Sequence, residues 1–235
     1  MYKWIRPSTV KHPTIWKTFT GKNNTGTKKY WIQDITNEYK QQIIKFSVHT
    51  FLKDEPVTNL LDVPLEIREK EFTKIWENIL NQRMVLICLS ENNGSEPVIC
   101  GVNYTLVLSK YEKVYSSTDV NFERFLMVLD FIQENGKLFE KFGIDKYLYS
   151  FGLYVSPEYR GQNIGANLLE ARDGLCKAFG LKATAAIFGS KYSQRAAEIA
   201  GFQNLFTLYY NDFLKKLNSK CYNILNSLLA LKAYW

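Results

Sequence analysis

The sequence predicts an α/β fold built on a mixed sheet, and three features of its 235 residues predict it. Strand-type and helix-period segments follow one another as strand, two helices, a run of antiparallel strands, then strand, helix, strand, helix, strand. The segment "KYLYSFGLYVS" (146–156) is almost continuously apolar over one strand length, as expected of a strand buried on both faces. Directly behind it, "YRGQNIG" (159–165) sets two glycines four residues apart between that strand and an apolar helical run.

The elements follow in order. "KKYWIQDIT" alternates apolar and polar residues and reads as a strand ending near Asp34. Tyr39, Ile43, Phe46 and Phe51 recur at helical spacing until "DEP", because the residue before a proline is pushed out of the helical region. A second helix runs from about Pro64 to Arg83, with Ile67, Phe72, Ile75, Trp76 and Leu80 on its apolar side. "MVLICLS" and "VICGVNYTLVL" are strands joined by "ENNGSEP", whose Asn-Gly and Pro favour a hairpin. "NFERFLMVLDFIQENGKLFEKFG" is helical by period and weakened at Gly136. Beyond the glycine turn, Ile164, Leu168, Ala171, Leu175 and Phe179 line one face of a helix stopped by Gly180. "KATAAIF" is a strand, "SKYSQRAAEIAGF" a short helix, and "NLFTLYYNDF" a further strand.

An apolar fraction of 46%, with 15 Tyr and 15 Phe, is ample for one packed core, and no repeat or Pro/Gly/Ser-rich linker divides the chain. No apolar run approaches the roughly 20 residues that cross a bilayer, and the start lacks a signal-peptide pattern, so an intracellular, cytoplasmic protein without a membrane partner is expected. Cys88, Cys100, Cys176 and Cys221 fall singly, without a CxxC pair, and read as free thiols; no metal is expected. The net charge of +7 lies wholly in residues 1–30, where Lys3, Arg6, Lys11, Lys17, Lys22, Lys28 and Lys29 meet no acid. Such an arm reads first as a solvated or loosely docked tail, and second as a guide for an anionic ligand. With no basic helix face, nucleic acid is not an expected partner.

A helix that starts right after a buried strand presents unpaired amide N–H groups, with the positive end of its dipole behind them, to an anion. Gly161 and Gly165 clear the approach and Arg160 adds charge. The turn is not a Walker loop, since Ala166-Asn167 follow Gly165, and its GxxxG spacing is not the dinucleotide GxGxxG. Taken alone, it reads equally as a tight packing turn.

"LYVSPEYRGQNIGANLLEARDGL" resembles the acyl-CoA-binding motif of the GCN5-related N-acetyltransferases, Arg/Gln-x-x-Gly-x-Gly/Ala, with Arg160, Gly161, Gln162, Asn163, Ile164 and Gly165 falling onto it in order. Together with "FLKDEPV" (51–57) and "SKYSQRAAEIAGF", it is similar to the insect arylalkylamine N-acetyltransferases over roughly residues 30–213. The resemblance implies a GNAT fold with splayed central strands, divided as a basic arm (1–29), an N-acetyltransferase domain (30–213) and a C-terminal extension packed on it (214–235). It implies acetyl-CoA as co-substrate: Leu153, Tyr154 and Val155 pairing with the pantetheine arm, and the amides of residues 161 to 166, Ala166 included, holding the pyrophosphate. Asn163 stands where the family often has glycine, and Asn is the side chain that best tolerates a left-handed backbone.

Acetyl transfer needs a neutral amine, so a base is required. The resemblance assigns that role to Glu55 of "DEP"; from spacing alone, Asp54 and Glu55 equally end one helix and cap the next. His12 and His49 match no proton path. Tyr192 and Ser193 stand where this fold approaches the coenzyme sulfur, with Ser190 beside Gly189 at a position where relatives carry a second serine; Ser190 also reads as a helix cap. Phe51, Tyr104, Tyr149, Phe188 and Tyr209 are candidates for an aromatic amine pocket. The expected activity is direct acetyl transfer to a small arylalkylamine in a ternary complex, by a monomer. A polyamine or agmatine-like acceptor, or coenzyme binding without catalysis, are the alternatives.

Overall fold

The computed structural model describes residues 4–23, 26–92, 94–112, 115–209 and 226–233. Its centre is an eight-stranded sheet in the order β1-β2-β3-β4-β5-β6-β8-β7. The strands are β1 (Ile15–Asn23), β2 (Gly26–Asp34), β3 (Leu86–Asn92), β4 (Ser95–Ser109), β5 (Lys146–Val155), β6 (Ala183–Phe188), β7 (Gln203–Tyr209) and β8 (Asn226–Ala233). Of the strand pairs among the described residues only β5 and β6 run parallel, and the chain passes between them through a helical crossover. That crossover is α6 (Ile164–Glu170) and α7 (Arg172–Phe179), two parts of one path bent at Ala171.

The other helices are α1 (Asn37–Asp54), α2 (Pro56–Leu60), α3 (Leu65–Leu80), α4 (Val120–Gly136), α5 (Leu138–Phe142) and α8 (Lys191–Ile199). Strand side chains alternate between the faces, so Ile87 and Leu89 join α1, α3 and α4 on one side, while Leu86 and Cys88 meet α6 and α7 on the other. The first face is aromatic: Phe72, Trp76, Tyr104 and Phe122 are all at most 2% exposed. Burying each contributes about 1.5–3 kcal/mol or more, which makes this face the main source of stability. Cys88, Cys100 and Cys176 are buried free thiols; Cys221 lies outside the described residues. Among the described residues no helix is long and apolar enough to cross a membrane, and no cluster of three or more metal-ligating side chains occurs.

Two segments depart from the sequence-based expectation. The basic segment is not a loose tail, because β1 pairs with β2 along its length. Arg6 is buried and binds the Asp34 carboxylate with both terminal nitrogens at 2.9 and 2.8 Å, and Thr14 N and Trp16 Nε1 donate to the same carboxylate at 2.9 Å each. Four donors on one buried acid fasten residues 6–16. Residues 226–233, expected to pack on the domain, instead lie inside the sheet, bonded to β6 on one side and β7 on the other. Residues 210–213, expected to continue the strand of β7, lie outside the described residues.

Candidate active site

The site begins with an irregularity in β5. Asn103 pairs with Leu153 and Thr105 with Ser150, so Phe151 and Gly152 together face Tyr104 across the β4–β5 ladder. This β-bulge requires a φ of +137° at Gly152, a backbone region that residues with a Cβ rarely enter. It also shifts the alternation. Tyr147, Tyr149 and Phe151 face the aromatic core, and after the bulge so does Tyr154, while Leu153 and Val155 turn to the opposite face. Asn103 Nδ2 holds the bulge by donating to Ser150 Oγ at 2.6 Å and to Gly152 O at 2.8 Å.

On its other side β5 pairs with β6 only at Leu148, Tyr149 and Ser150; among the described residues no strand pairs with 151–155 on that side. The expected splay is therefore present, and it leaves one backbone edge of 151–155 open to an extended ligand. At the base of the wedge, buried Arg172 donates to Leu148 O and Ala185 O at 2.8 and 2.9 Å, clamping the two strands where they separate.

The glycine turn follows at once. Gly161 has φ +81°, with no atom within 4 Å of the place a Cβ would occupy, so its surroundings are open. Asn163 takes φ 57° and ψ 19°, the left-handed conformation its side chain tolerates, and its carbonyl receives Asn167 N and Asn167 Nδ2, both at 3.0 Å. Ile164 and Ala166 are buried against the sheet, and at Gly165 a Cβ would stand 3.5 Å from Ala196 Cβ of α8. Leu153, Gly165 and α8 thus meet. Gln162 turns its side chain to Tyr30, whose hydroxyl donates to Gln162 Oε1 at 2.5 Å.

Arg160 spans from this loop to the "DEP" corner. Its Nη2 binds Asp54 Oδ2 at 3.0 Å and lies 3.4 Å from Tyr154 Oη, and its guanidinium stands over the Tyr154 ring at 5.6 Å. Two motifs more than a hundred residues apart are thereby joined. Glu55 is the N-cap of α2: its carboxylate accepts from Val57 N at 3.1 Å and Thr58 N at 2.6 Å. It is only 8% exposed, and burial raises its pKa above the ordinary carboxylate value despite the opposing amide bonds. It is a cap and also a buried acid of raised basicity, so the two sequence-based readings are compatible.

At α8 the cap is complete. Ser193 N donates to Ser190 Oγ at 3.2 Å, and Ser193 Oγ donates to Ser190 O at 2.9 Å. Tyr192 is 76% exposed, with Lys191 Nζ over its ring. No hydrogen bond joins this trio to Glu55. Of the aromatic candidates, Phe51 and Tyr104 come together beside Gly152; Tyr149 is buried nearby, Phe188 packs instead on Phe202, and Tyr209 is exposed. Sequence reasoning missed Trp76 as a site residue, reading it only as the apolar side of a helix. It stacks on Tyr104 at 4.9 Å and meets Phe51 at 5.9 Å.

Comparison with known proteins relates the fold to acetyltransferases. Residues 131–202 match the model of the acetyltransferase (GNAT) family. The protein named as arylalkylamine N-acetyltransferase 7 of the yellow fever mosquito Aedes aegypti superposes with a TM-score of 0.89 at 28% identity, covering 98% of this chain and 99% of that one. Arylalkylamine N-acetyltransferase 2 from Aedes aegypti shares the fold at a TM-score of 0.75 and 19% identity, over 90% of this chain and 99% of that one. So does Drosophila melanogaster polyamine N-acetyltransferase, an enzyme that forms N-acetylagmatine, at 0.71 and 18%, over 87% of this chain and 99% of that one. No curated protein sequence matches. The chain thus matches the GNAT acetyltransferase family over residues 131–202 and is similar in structure, over nearly its whole length, to a protein named as an insect arylalkylamine N-acetyltransferase.

Proposed function

We propose that this protein transfers an acetyl group from acetyl-CoA to the primary amine of a small arylalkylamine, by direct attack in a ternary complex. The observation that carries the reading is the open edge of β5 at 151–155, flanked by the Gly161–Asn163 loop on one side and the aromatic cluster on the other. Acetyl-CoA fits there: the strand edge matches its amide-containing arm, and the uncrowded amides about Gly161, with Arg160, match its phosphates. Bound, it supplies the activated thioester.

The chain's own residues do the rest. Glu55 takes the ammonium proton of the acceptor, directly or through water; the freed amine nitrogen attacks the thioester carbonyl, the nitrogen of the tetrahedral adduct gives its surplus proton to water, the C–S bond breaks, and the sulfur leaves as a thiolate. Tyr192, at the exposed start of α8, is the proposed proton donor to that thiolate, with Ser193 and Ser190 fixing the helix start beside it.

The acceptor class follows from the acids. A second cationic group, as in a diamine, calls for a free carboxylate. Asp54 is bound by Arg160, Glu55 by two amides, and Glu71 by Lys74 Nζ, Ser117 Oγ and Tyr115 Oη. The walls are aromatic instead: Phe46 and Phe51 meet Tyr154 at 5.3 and 6.1 Å. The enzyme is further proposed to be monomeric and cytoplasmic, the candidate site being built within a single chain. Thiol release from acetyl-CoA with serotonin, dopamine, tyramine, octopamine, tryptamine, agmatine and spermidine is the test. Arylalkylamines are expected to turn over faster than agmatine or spermidine; the reverse order reassigns the acceptor, and no turnover with measurable coenzyme binding makes the chain a binding protein.

A further inference from the structure

The bulge in β5 leaves a small hole over Gly152. A Cβ placed there would stand 3.5 Å from Tyr104 Cδ2, 3.9 Å from Trp76 Nε1 and 4.0 Å from Phe51 Cζ, so the space admits about one heavy atom. Trp76 is fully buried, and its indole N–H has no hydrogen-bond partner among the described residues. An indole N–H is a donor only, and leaving one unpaired in an apolar site is destabilising. The hole therefore calls for an acceptor.

Its walls supply none. The Tyr104 hydroxyl is engaged with Ser47 Oγ at 2.8 Å and Ile43 O at 3.2 Å, the Gly152 carbonyl receives Asn103 Nδ2, and Phe51 has no polar side-chain atom. The missing partner has to come from outside these walls, as a single small acceptor lying against the strand segment that leaves β6.

We infer that Trp76 Nε1–H donates to the carbonyl oxygen of the transferred acyl group. The inference rests on the acetyl-transfer reading, which lays the thioester along residues 151–155. A donor fixed by stacking on Tyr104 holds the carbonyl in one orientation while the amine attacks, and the bond strengthens as negative charge gathers on the oxygen. Trp76 would then be a catalytic residue supplied by α3, an element outside the loop and the "DEP" corner.

The test follows the indole signals of the five tryptophans in a ¹H–¹⁵N spectrum of the whole protein, with CoA, acetyl-CoA and S-ethyl-CoA, a thioether lacking the carbonyl. The Trp76 signal is the one lost in Trp76→Phe or, should that variant not fold, the one in contact with the Tyr104 ring. It is expected to move downfield with acetyl-CoA and to stay in place with the other two. By calorimetry, acetyl-CoA should bind roughly three- to tenfold more tightly than S-ethyl-CoA, the worth of one neutral hydrogen bond, and Trp76→Phe should erase the difference. An equal shift with S-ethyl-CoA, or none at saturating acetyl-CoA, overturns the inference. So does a shift that appears only with a hydroxyaryl amine, which would give the N–H to the acceptor instead. No binding of any of the three defeats the transferase reading itself.

Discussion

Substituting Glu55→Gln separates a base from a cap. The carboxylate accepts two amide hydrogens, from Val57 and Thr58. Glutamine keeps one acceptor oxygen and turns an NH₂ toward one of those amides, a mismatch expected to cost about 1–3 kcal/mol of stability. That cost is present whichever role is correct. The pH dependence is not. Burial raises the Glu55 pKa above 4.5, so the fold favours the neutral acid. Its contribution to stability is full below the ordinary carboxylate value and is lost as pH rises through the folded pKa. The variant lacks this titration, so the stability difference should shift in its favour over that window in urea melts taken at several pH values. Catalysis runs the other way, because only the ionised carboxylate accepts a proton. In thiol-release assays the acid limb of kcat/KM should lie above 4.5 in the native protein and vanish in the variant, with kcat lowered by about 10²–10⁴. The coenzyme dissociation constant should hold, since Glu55 touches only the start of α2. A variant with lowered stability, unchanged kcat and an unchanged acid limb would leave Glu55 as a cap alone.

Arg160→Ala should weaken coenzyme binding about tenfold through the lost charge-assisted contact, and an unchanged dissociation constant by calorimetry would remove the side chain from the phosphate site. Asn163→Gly should leave coenzyme affinity within about twofold, because glycine enters the same left-handed conformation freely, whereas Asn163→Ala should lower stability by about 1 kcal/mol; equal melts for both would contradict the backbone argument. Asp34→Asn should cost about 3–5 kcal/mol in urea denaturation by leaving the Arg6 guanidinium buried without its counter-charge, and a loss under 1 kcal/mol would show that the N-terminal segment is not fastened there.

Much of this fold is legible where its causes are local. The period of residues 36–53 and the proline after Glu55 mark α1, the Asn-Gly turn marks the β3–β4 hairpin, and the apolar run 146–156 marks β5 almost to the residue. What was not legible depends on distant partners. Residues 15–23 were set apart by their charge, yet they form β1 because Asp34 gathers Arg6, Thr14 and Trp16. Residues 226–233 find their place between β6 and β7, a pairing no local pattern encodes. The site divides the same way. The conformation of Asn163 follows from its residue type, but the Asp54 partner of Arg160 and the isolation of the Trp76 N–H required the packed structure. Residue type alone suggests Phe188 and Tyr209 for the pocket; Phe188 belongs to a separate cluster with Phe202, and Tyr209 is the exposed last residue of β7.

One extra residue in β5 ties these parts together. Without the bulge, strict alternation from Phe151 would send Leu153 toward α1 and Tyr154 toward α6. Tyr154 would then miss Phe46 and Phe51, and Arg160 would lose the ring and hydroxyl that lie beside its bond to Asp54. With it, the strand's last residues place an aromatic side chain over the "DEP" corner while their backbone edge stays open toward the wedge. The same insertion, made tolerable by a glycine at φ +137°, opens the hole under Trp76. The glycine loop, the "DEP" corner and the aromatic wall are far apart in sequence, and the bulge is the point at which the sheet brings all three to one end of β5.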